Sequence, residues 1–468
     1  MGLPFRAGPF RALALVVALA TPGAALAQSA VQFTLPQMRT LAIETLQNGA
    51  AQEALALADA LLLRDPADQT ALFIRTEALL MLEQYDAASR AAAAAFRASP
   101  PGDARFNAAR LAAQAHSHVG RDTSAQIWLR RSLQHAPNAQ ARAGAIEDYN
   151  YLRQHNPFSV SLSFGITPSS NINGGTNATT VVLPLGTPTD LSPDTFAFSG
   201  LQIAANVGLS YRLHNDDNSA TFAKFRLNGR TYVLSQDTLA LDPEASGNDY
   251  SDAGVTFSLT HIWQPNNFAD RGTVELATGL TWYDGDFYTR FVRASGGLDF
   301  QLNNNSLLNI SAMAELLSKY DNDAYWTTSI SARYIAPLGN GDRLTLGFGL
   351  RSALTDRADS GYDGFNFSAN YRIAEPVAGL QISLGLNGES RDYAYTNYGT
   401  VDPQTGLAIY SVDREDQRLS VHISAAIPQA EIYGFTPTVT LEQSQTWSTI
   451  DFFGREDLRV GLTWNSSF

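Results

Sequence analysis

The C-terminal stretch Arg455-Glu-Asp-Leu-Arg-Val-Gly-Leu-Thr-Trp-Asn-Ser-Ser-Phe468 alternates in character along its length. Leu458, Val460, Leu462, Trp464 and Phe468 fall on one side of an extended chain, and Arg459, Gly461, Thr463 and Asn465 fall on the other. Successive side chains of a β-strand point to opposite faces, so this segment reads as a strand with one apolar and one polar side. A soluble sandwich alternates in the same way. The period alone does not choose between the two environments; strand number, strand length and connections do.

Working backwards, similar segments recur as far as Phe158. They lie near residues 158–167, 197–213, 219–233, 250–264, 270–284, 287–302, 305–320, 325–337, 342–355, 362–374, 378–395, 414–428, 434–447 and 455–468. The number is even, and each segment is long enough to cross a bilayer at a tilt, as in a single-chain outer-membrane barrel. Strands of soluble proteins average only about five or six residues. The longest connections, 167–196, 234–249 and 396–413, all follow odd-numbered strands, while the even-numbered connections are short. That asymmetry is expected if strand one runs outward. Trp263, Trp282, Tyr288, Trp326, Tyr334, Trp447 and Trp464 stand near segment ends, where rings that are part apolar and part polar suit a membrane interface. The opposite faces carry Arg226, Arg293, Glu315, Lys319, Arg333, Arg372 and Glu389, which suits a wet lumen. The expectation is a 14-stranded antiparallel outer-membrane β-barrel over residues 156–468, with a soluble sandwich or propeller as the competing architecture.

Residues 1–27 read as a signal peptide. Arg6 and Arg11 are followed by a short apolar run and the small-x-small sequence Ala25-Leu26-Ala27. That run is shorter than the ~20 residues of a membrane-spanning helix. Residues 28–155 are rich in Ala and Leu at helical spacing, as in Ala54, Leu57, Ala58, Leu61 and Ala88, Ala92, Ala95, Phe96. Pro66, Pro100 and Pro137 recur 34 and 37 residues apart. A period near 34 with paired helices is the tetratricopeptide pattern, in which stacked units bury a core that no single unit can bury. The expected class is therefore α plus transmembrane β, with the helical domain in the periplasm.

Composition excludes several functions. The 468 residues contain no cysteine, so there is no disulfide framework or thiol chemistry, and the formal charge of −13 argues against a nucleic-acid partner. No metalloprotease, nucleophile-elbow or phosphate-loop motif occurs. His116 and His118 point in different directions on a helix and read as surface or inter-helix residues. His261 and His422 are expected on apolar strand faces. Asp321-Asn322-Asp323 reads as a solvated turn and not a calcium loop. No catalytic residue, metal ligand or cofactor is assigned, and the chain is not read as an enzyme.

The segment Pro168-Ser-Ser-Asn-Ile-Asn-Gly-Gly175 follows the first strand. With the order signal peptide, tetratricopeptide-like domain, barrel, it resembles the surface lipoprotein assembly modulator (Slam) family. In that family the first strand leads into a motif of the kind Pro-Asp-Ser-Asn-Ile-Asn. The likeness rests on Pro168, Ser170, Asn171, Ile172 and Asn173; Ser169 stands where the family commonly has Asp. The resemblance implies delivery of a client, either a surface lipoprotein or a secreted soluble protein, from periplasm to cell surface. It implies periplasmic chaperones and the outer-membrane assembly machinery as partners, besides the lipid bilayer, and no cofactor. Pro168, Ser170, Asn171 and Asn173 become candidates for client contact or gating. Trp464 and Phe468 resemble the C-terminal signal read during barrel assembly. A polysaccharide-export or small-molecule porin with a helical docking domain is the alternative. In either case a closed barrel must pair its last strand with the one starting near Phe158. That places the seam beside Pro168–Gly175 and over the helical domain.

Overall fold

A computed structural model of the protein describes residues 33–466, apart from 183–187, 266–267, 303–304, 321–323, 356–359, 394–395, 397–398, 402–404 and 410–412. The signal-peptide reading of 1–27, the turn Asp321–Asp323 and Phe468 lie outside the described residues.

Among the described residues seven helices come first: α1 (Leu35–Gln47), α2 (Ala51–Arg64), α3 (Gln69–Met81), α4 (Tyr85–Ala98), α5 (Asp103–His118), α6 (Asp122–Leu133) and α7 (Ala139–His155). Side-chain caps start several of them. Thr34 and Gln37 form a capping box, Asp68 accepts from the Ala71 N–H at 3.1 Å, and Asn138 accepts from the Ala141 N–H at 2.8 Å. Asp68 is also held by Arg39 at 2.8 Å. Pro66, Pro100 and Pro137 follow α2, α4 and α6, so each helical pair is closed by a proline turn. Ala42, Ala54, Ala58, Ala71 and Ala78 are fully buried around Leu61 and Ile74. Further clusters around Ala88 and Ala115, then Ala125 and Tyr149, carry the core along the stack. Methyl-sized side chains let neighbouring helices approach closely and give a continuous tetratricopeptide-like core. His118 stacks on Tyr85 at 4.6 Å between α5 and α4. Burial and the neighbouring Arg121 hold His116 below its ordinary pKa.

The barrel strands are β1 (Phe158–Ser169), β2 (Gly200–Asn215), β3 (Ser219–Leu234), β4 (Asp252–Trp263), β5 (Arg271–Tyr283), β6 (Asp286–Gln301) and β7 (Leu307–Lys319). They continue as β8 (Ala324–Pro337), β9 (Arg343–Leu354), β10 (Tyr362–Arg372), β11 (Gln381–Tyr393), β12 (Arg414–Ala426), β13 (Phe435–Ser448) and β14 (Arg455–Ser466). Each pairs antiparallel with its neighbours in sequence, and β14 returns to β1. Closure leaves no sheet edge, which is the condition for strands in a membrane. One face of every strand points outward with exposed aliphatic and aromatic side chains, such as Leu276, Val292, Ile330, Leu350 and Val460. The other faces a polar lumen containing Arg226, Arg293, Glu315, Arg333, Arg372 and Glu389. Short hairpins use the expected turn chemistry. At Asp284-Gly285 both residues have positive φ, which matches the twist of the flanking strands. In the 216–218 turn, His214 and the N–H groups of Asn218 and Ser219 hold the Asp216 carboxyl well below the usual range.

His261 faces outward as expected, and a ring nitrogen lies 2.9 Å from the Thr221 hydroxyl. His422 does not. Leu419, Val421 and Ile423 carry the outward face of β12, so the residue between the last two must point inward. Its imidazole lies over Gly385, where a Cβ would come within 1.9 Å of Cε1. At the end of the barrel far from the helices, connections that read as plain loops contain structure. Thr180–Val182 pairs with Pro188–Asp190, Thr400–Val401 pairs with Ala408–Ile409, and Gln236–Leu241 forms α8. The Gly399 N–H donates to the Val182 carbonyl at 3.0 Å, and Val181, Val182, Phe198, Ile450 and Phe453 are buried. The segment Thr180–Val182 also approaches Thr400–Val401 and the turn Asp451–Phe453, so these connections form a small cap.

The helical core leaves no room at Ala92, which is fully buried. Ala92→Leu should overpack it at a cost of about 1–3 kcal/mol. The helical circular-dichroism signal should melt at a lower temperature, while the heat-modifiable gel mobility of the barrel is unchanged.

Candidate functional site

The sheet closes between β1 and β14, and the two edges of β1 are not equivalent. Towards β2 the register runs unbroken from Phe158 opposite Tyr211 to Ser169 opposite Gly200. Towards β14 it runs from Ser163 opposite Asn465 to Ile166 opposite Leu462, then resumes only at Ser169 opposite Arg459. Pro168 falls in the gap; it has no N–H to donate and interrupts any ladder it enters. On the outward face the seam is covered by Trp464 stacked on Phe164 at 5.0 Å. On the lumen face β1 carries only small residues, Ser159, Ser161, Ser163, Gly165, Thr167 and Ser169.

Beyond the gap the motif residues clasp the two strands. The Ser170 N–H donates to the Leu458 carbonyl at 3.1 Å, and the Leu458 N–H donates to Ser170 Oγ at 2.8 Å. Ser169 Oγ donates to Asp457 Oδ1 at 2.8 Å. Asn171 is buried and uses both ends of its amide. Its Nδ2 donates to the carbonyls of Glu456 and Gly175 at 3.1 and 2.9 Å, and its Oδ1 accepts from the Gly175 N–H at 2.7 Å. Asn173 ties the other limb of the loop, with Oδ1 accepting from the Phe198 N–H at 2.9 Å and Nδ2 donating to the Phe196 carbonyl at 2.7 Å. Gly175 lies so close that a Cβ would sit 2.2 Å from the Phe196 backbone. The structure thus brings Pro168, Ser170, Asn171 and Asn173 together at one end of the seam and places Trp464 near its other end, one pair in from the first rung of the ladder. Ser169 faces the Asp457 carboxylate, so an Asp here would oppose like charge.

The other end of the seam is held by the helical domain. Arg130 Nη2 on α6 donates to Ser466 Oγ at 2.9 Å and to the Tyr149 hydroxyl at 2.9 Å. Arg142 pairs with Glu431 in the β12–β13 connection at 3.0 Å. At the chain crossing, Asn156 Nδ2 donates to Thr123 Oγ1 at 3.0 Å and its Oδ1 accepts from the Phe158 N–H at 2.9 Å. Arg212 on β2 donates to the His155 carbonyl at 2.9 Å. These contacts lie on β12–β14, β1 and β2, the sector of rim centred on the seam. Between α6, α7 and the lumen wall is a cleft of about 540 Å³ whose lining includes Arg130, Arg153, Lys224, Arg226 and Arg293.

At the cap end the lumen wall carries three pairs, each an Arg and a carboxylate two residues apart on one strand. Arg391 bonds Glu389 at 2.8 and 3.0 Å, Arg414 bonds Asp416 at 2.5 and 3.2 Å, and Arg459 pairs with Asp457. The Arg414 guanidinium also lies between the rings of Tyr393 and Phe453, at 3.8 and 3.3 Å from their centroids. Sequence reasoning missed this cluster. The signal was the x+2 spacing itself, which puts both charges on one strand face. Among the described residues no group of three His, Cys, Asp or Glu could hold a metal ion.

No protein-family model matches the chain, and no curated protein matches it. Among solved structures, the helical part is similar to SycD, the type III secretion translocator chaperone of Yersinia enterocolitica. The identity is 16%, the match covers 26% of this chain and 88% of that one, and the TM-score is 0.24. The barrel is similar to OccAB1 of Acinetobacter baumannii, at 8% identity over 66% of this chain and 96% of that one, TM-score 0.34. It is also similar to a bacterial polysaccharide outer membrane secretin, at 9% identity over 66% and 98%, TM-score 0.30. Likeness at this level carries no functional argument; the architecture rests on the strand register and helix packing described above.

Asn171→Ala would remove the donor to the Glu456 and Gly175 carbonyls and leave the Gly175 N–H with only its 3.2 Å bond to Asn173 Oδ1. It should cost about 1–3 kcal/mol for each group left buried and unsatisfied. Cleavage by added protease within 170–199 should accelerate at least tenfold relative to wild type. Ser170→Ala, at a more exposed position, should have a smaller effect.

Proposed function

We propose that the chain is an outer-membrane translocator that delivers a specific client protein, a surface lipoprotein or a secreted soluble protein, from periplasm to cell surface. The observation that carries this reading is the docking of a helical-repeat domain on the rim sector around the least-paired seam of the barrel. In this reading residues 1–27 export the chain and are removed, the helical domain stands in the periplasm, and the capped end faces outward. Stacked helical pairs offer a concave surface suited to a peptide or chaperone. They would hold the client beside the cleft at Arg130 and Arg153. The β1–β14 ladder is short there, so separating the strands breaks few hydrogen bonds, while the Ser169–Asn173 clasp retains the far end. Net transport would follow from the client folding outside, since no step requires a catalytic residue or cofactor. The resemblance to the Slam family supports the same assignment, and periplasmic chaperones and the barrel-assembly machinery are the partners it brings. Phe468 would serve in assembly. A polysaccharide-export or small-molecule porin is the second reading, favoured by the basic lumen wall.

The direct test is to co-express candidate client proteins with and without this protein and probe intact cells with antibody. Client on the surface only when the protein is present is expected; equal exposure in both strains would remove the translocator assignment.

The seam route has its own test. A Cβ built at Gly165 lies 3.4 Å from that of Thr463, close to the ~3.5–4.5 Å between the β-carbons of a disulfide. Replacing Thr463 also removes the methyl that would crowd it. Because the chain has no cysteine, Gly165→Cys with Thr463→Cys forms one defined cross-link. Oxidation should abolish client exposure, and reduction should restore it. Unchanged export by the cross-linked barrel would exclude opening at this seam.

A further inference from the structure

The lumen charges do not balance. Its carboxylates are almost all consumed in ion pairs: Glu275 with Lys224, Asp299 with Arg271, Glu315 with Arg293, and the three pairs at the cap end. Arg226, Arg333, Arg351, Arg372, Arg418 and Arg455 face the same space and have no carboxylate partner among the described residues. A chain whose formal charge is −13 therefore surrounds its lumen with surplus positive charge. Low-dielectric walls lined by one sign of charge concentrate ions of the other sign.

Two of these arginines converge. Arg418 on β12 is opposite Thr446 on β13, and Thr446 is opposite Arg455 on β14. All three lie in one row across the sheet with side chains inward, so two guanidiniums flank one hydroxyl. Arg418 makes a single 3.4 Å hydrogen bond to Ser444 Oγ. The neighbouring Arg391, Arg414 and Arg459 each pair with their own carboxylate; Glu389 stands opposite Arg418 in the register, yet neither Arg418 nor Arg455 forms an ion pair among the described residues. The clasp loop closes the row from outside. Gly174 has φ +65°, and a Cβ there would come within 3.2 Å of Arg455 Nη1, so the loop leaves room for the guanidinium. The cavity here is about 180 Å³, opens to the lumen, and carries Glu389, Asp416, Glu456 and Asp457 in its wall beside these five arginines.

We propose that Arg418, Arg455 and Thr446 form a binding site for a small oxyanion of the phosphate class. Guanidinium groups present paired N–H donors that match phosphate oxygens, and a hydroxyl supplies a third donor. The side chains face the lumen, so the ligand is a solute entering through the barrel and not a lipid headgroup. The site stands independently of client transport.

The test is equilibrium binding of radiolabelled inorganic phosphate to the folded full-length protein in detergent, at low ionic strength and pH 8. Wild type should bind one phosphate per chain. Arg418→Gln with Arg455→Gln should weaken binding at least tenfold, and Arg455→Lys should retain most of it. Variant folding is checked by heat-modifiable mobility. Raising ionic strength should weaken wild-type binding, as for any charge-driven site. Absence of phosphate binding to wild type, or equal binding by the double variant, overturns the assignment. A glutamate oligopeptide that binds where phosphate does not would also overturn it and assign the row to acidic chain segments.

Discussion

Everything in this molecule depends on one closure, the antiparallel ladder between β1 and β14. Thirteen strand pairings follow from chain order; the fourteenth joins residues about 300 apart in sequence and alone turns a sheet into a barrel. In a membrane an open edge would leave a row of N–H and C=O groups with no water to bond. The protein nevertheless makes this ladder the shortest, with Pro168 placed inside it. What the backbone ladder lacks is supplied by side chains. Ser169, Ser170 and Asn171 bond to β14 at one end, and Arg130 bonds to Ser466 at the other. Among the described residues, separating β1 from β14 would therefore break fewer backbone pairings than separating any other neighbouring strands of the barrel.

The same logic explains where the helical domain sits. Its last helix passes into β1 through only Asn156 and Pro157, and Asn156 bonds to both sides of the junction. A short, bonded linker leaves little freedom of direction. The domain consequently meets the rim at the strands that neighbour β1, which are β2 on one side and β14 on the other. Position next to the seam is thus a consequence of chain connectivity, and the contacts of Arg130 and Arg142 fix it.

Inside and outside of the barrel obey opposite rules. A charge on the lipid face at mid-membrane costs about 2–4 kcal/mol for Arg or Lys, so the outward residues are aliphatic. The lumen has no such penalty, and arginines accumulate there beyond what the carboxylates neutralise. At the cap end the paired residues stand two apart on one strand, while Glu275, Asp299 and Glu315 pair with cations on other strands. Where the partner is missing, as at Arg418 and Arg455, the charge remains available to a solute.

Much of this was legible in the chain alone. Period-two alternation fixed the strands, and their inward and outward faces, because a strand has no other way to separate apolar from polar residues. The 34-residue recurrence of proline between Ala-rich helices identified the stacked pairs, because such helices bury nothing unless stacked. Closure of the barrel required that the last strand return to the first, and the even strand number made that pair antiparallel. His422 shows the limit: a one-residue shift of register exchanges faces, and an imidazole is at home on either. The roles of Asn171 and Asn173 were also out of reach, since a Ser- and Asn-rich stretch reads as any turn until its partners near Phe196 and Glu456 are known. The Arg418–Thr446–Arg455 row belongs to three strands, and only their relative register aligns it. Local pattern determined what each segment is, because side-chain alternation and helical period act within a few residues. Tertiary structure alone decided which segments meet, because register between distant strands is set by the closed ring as a whole.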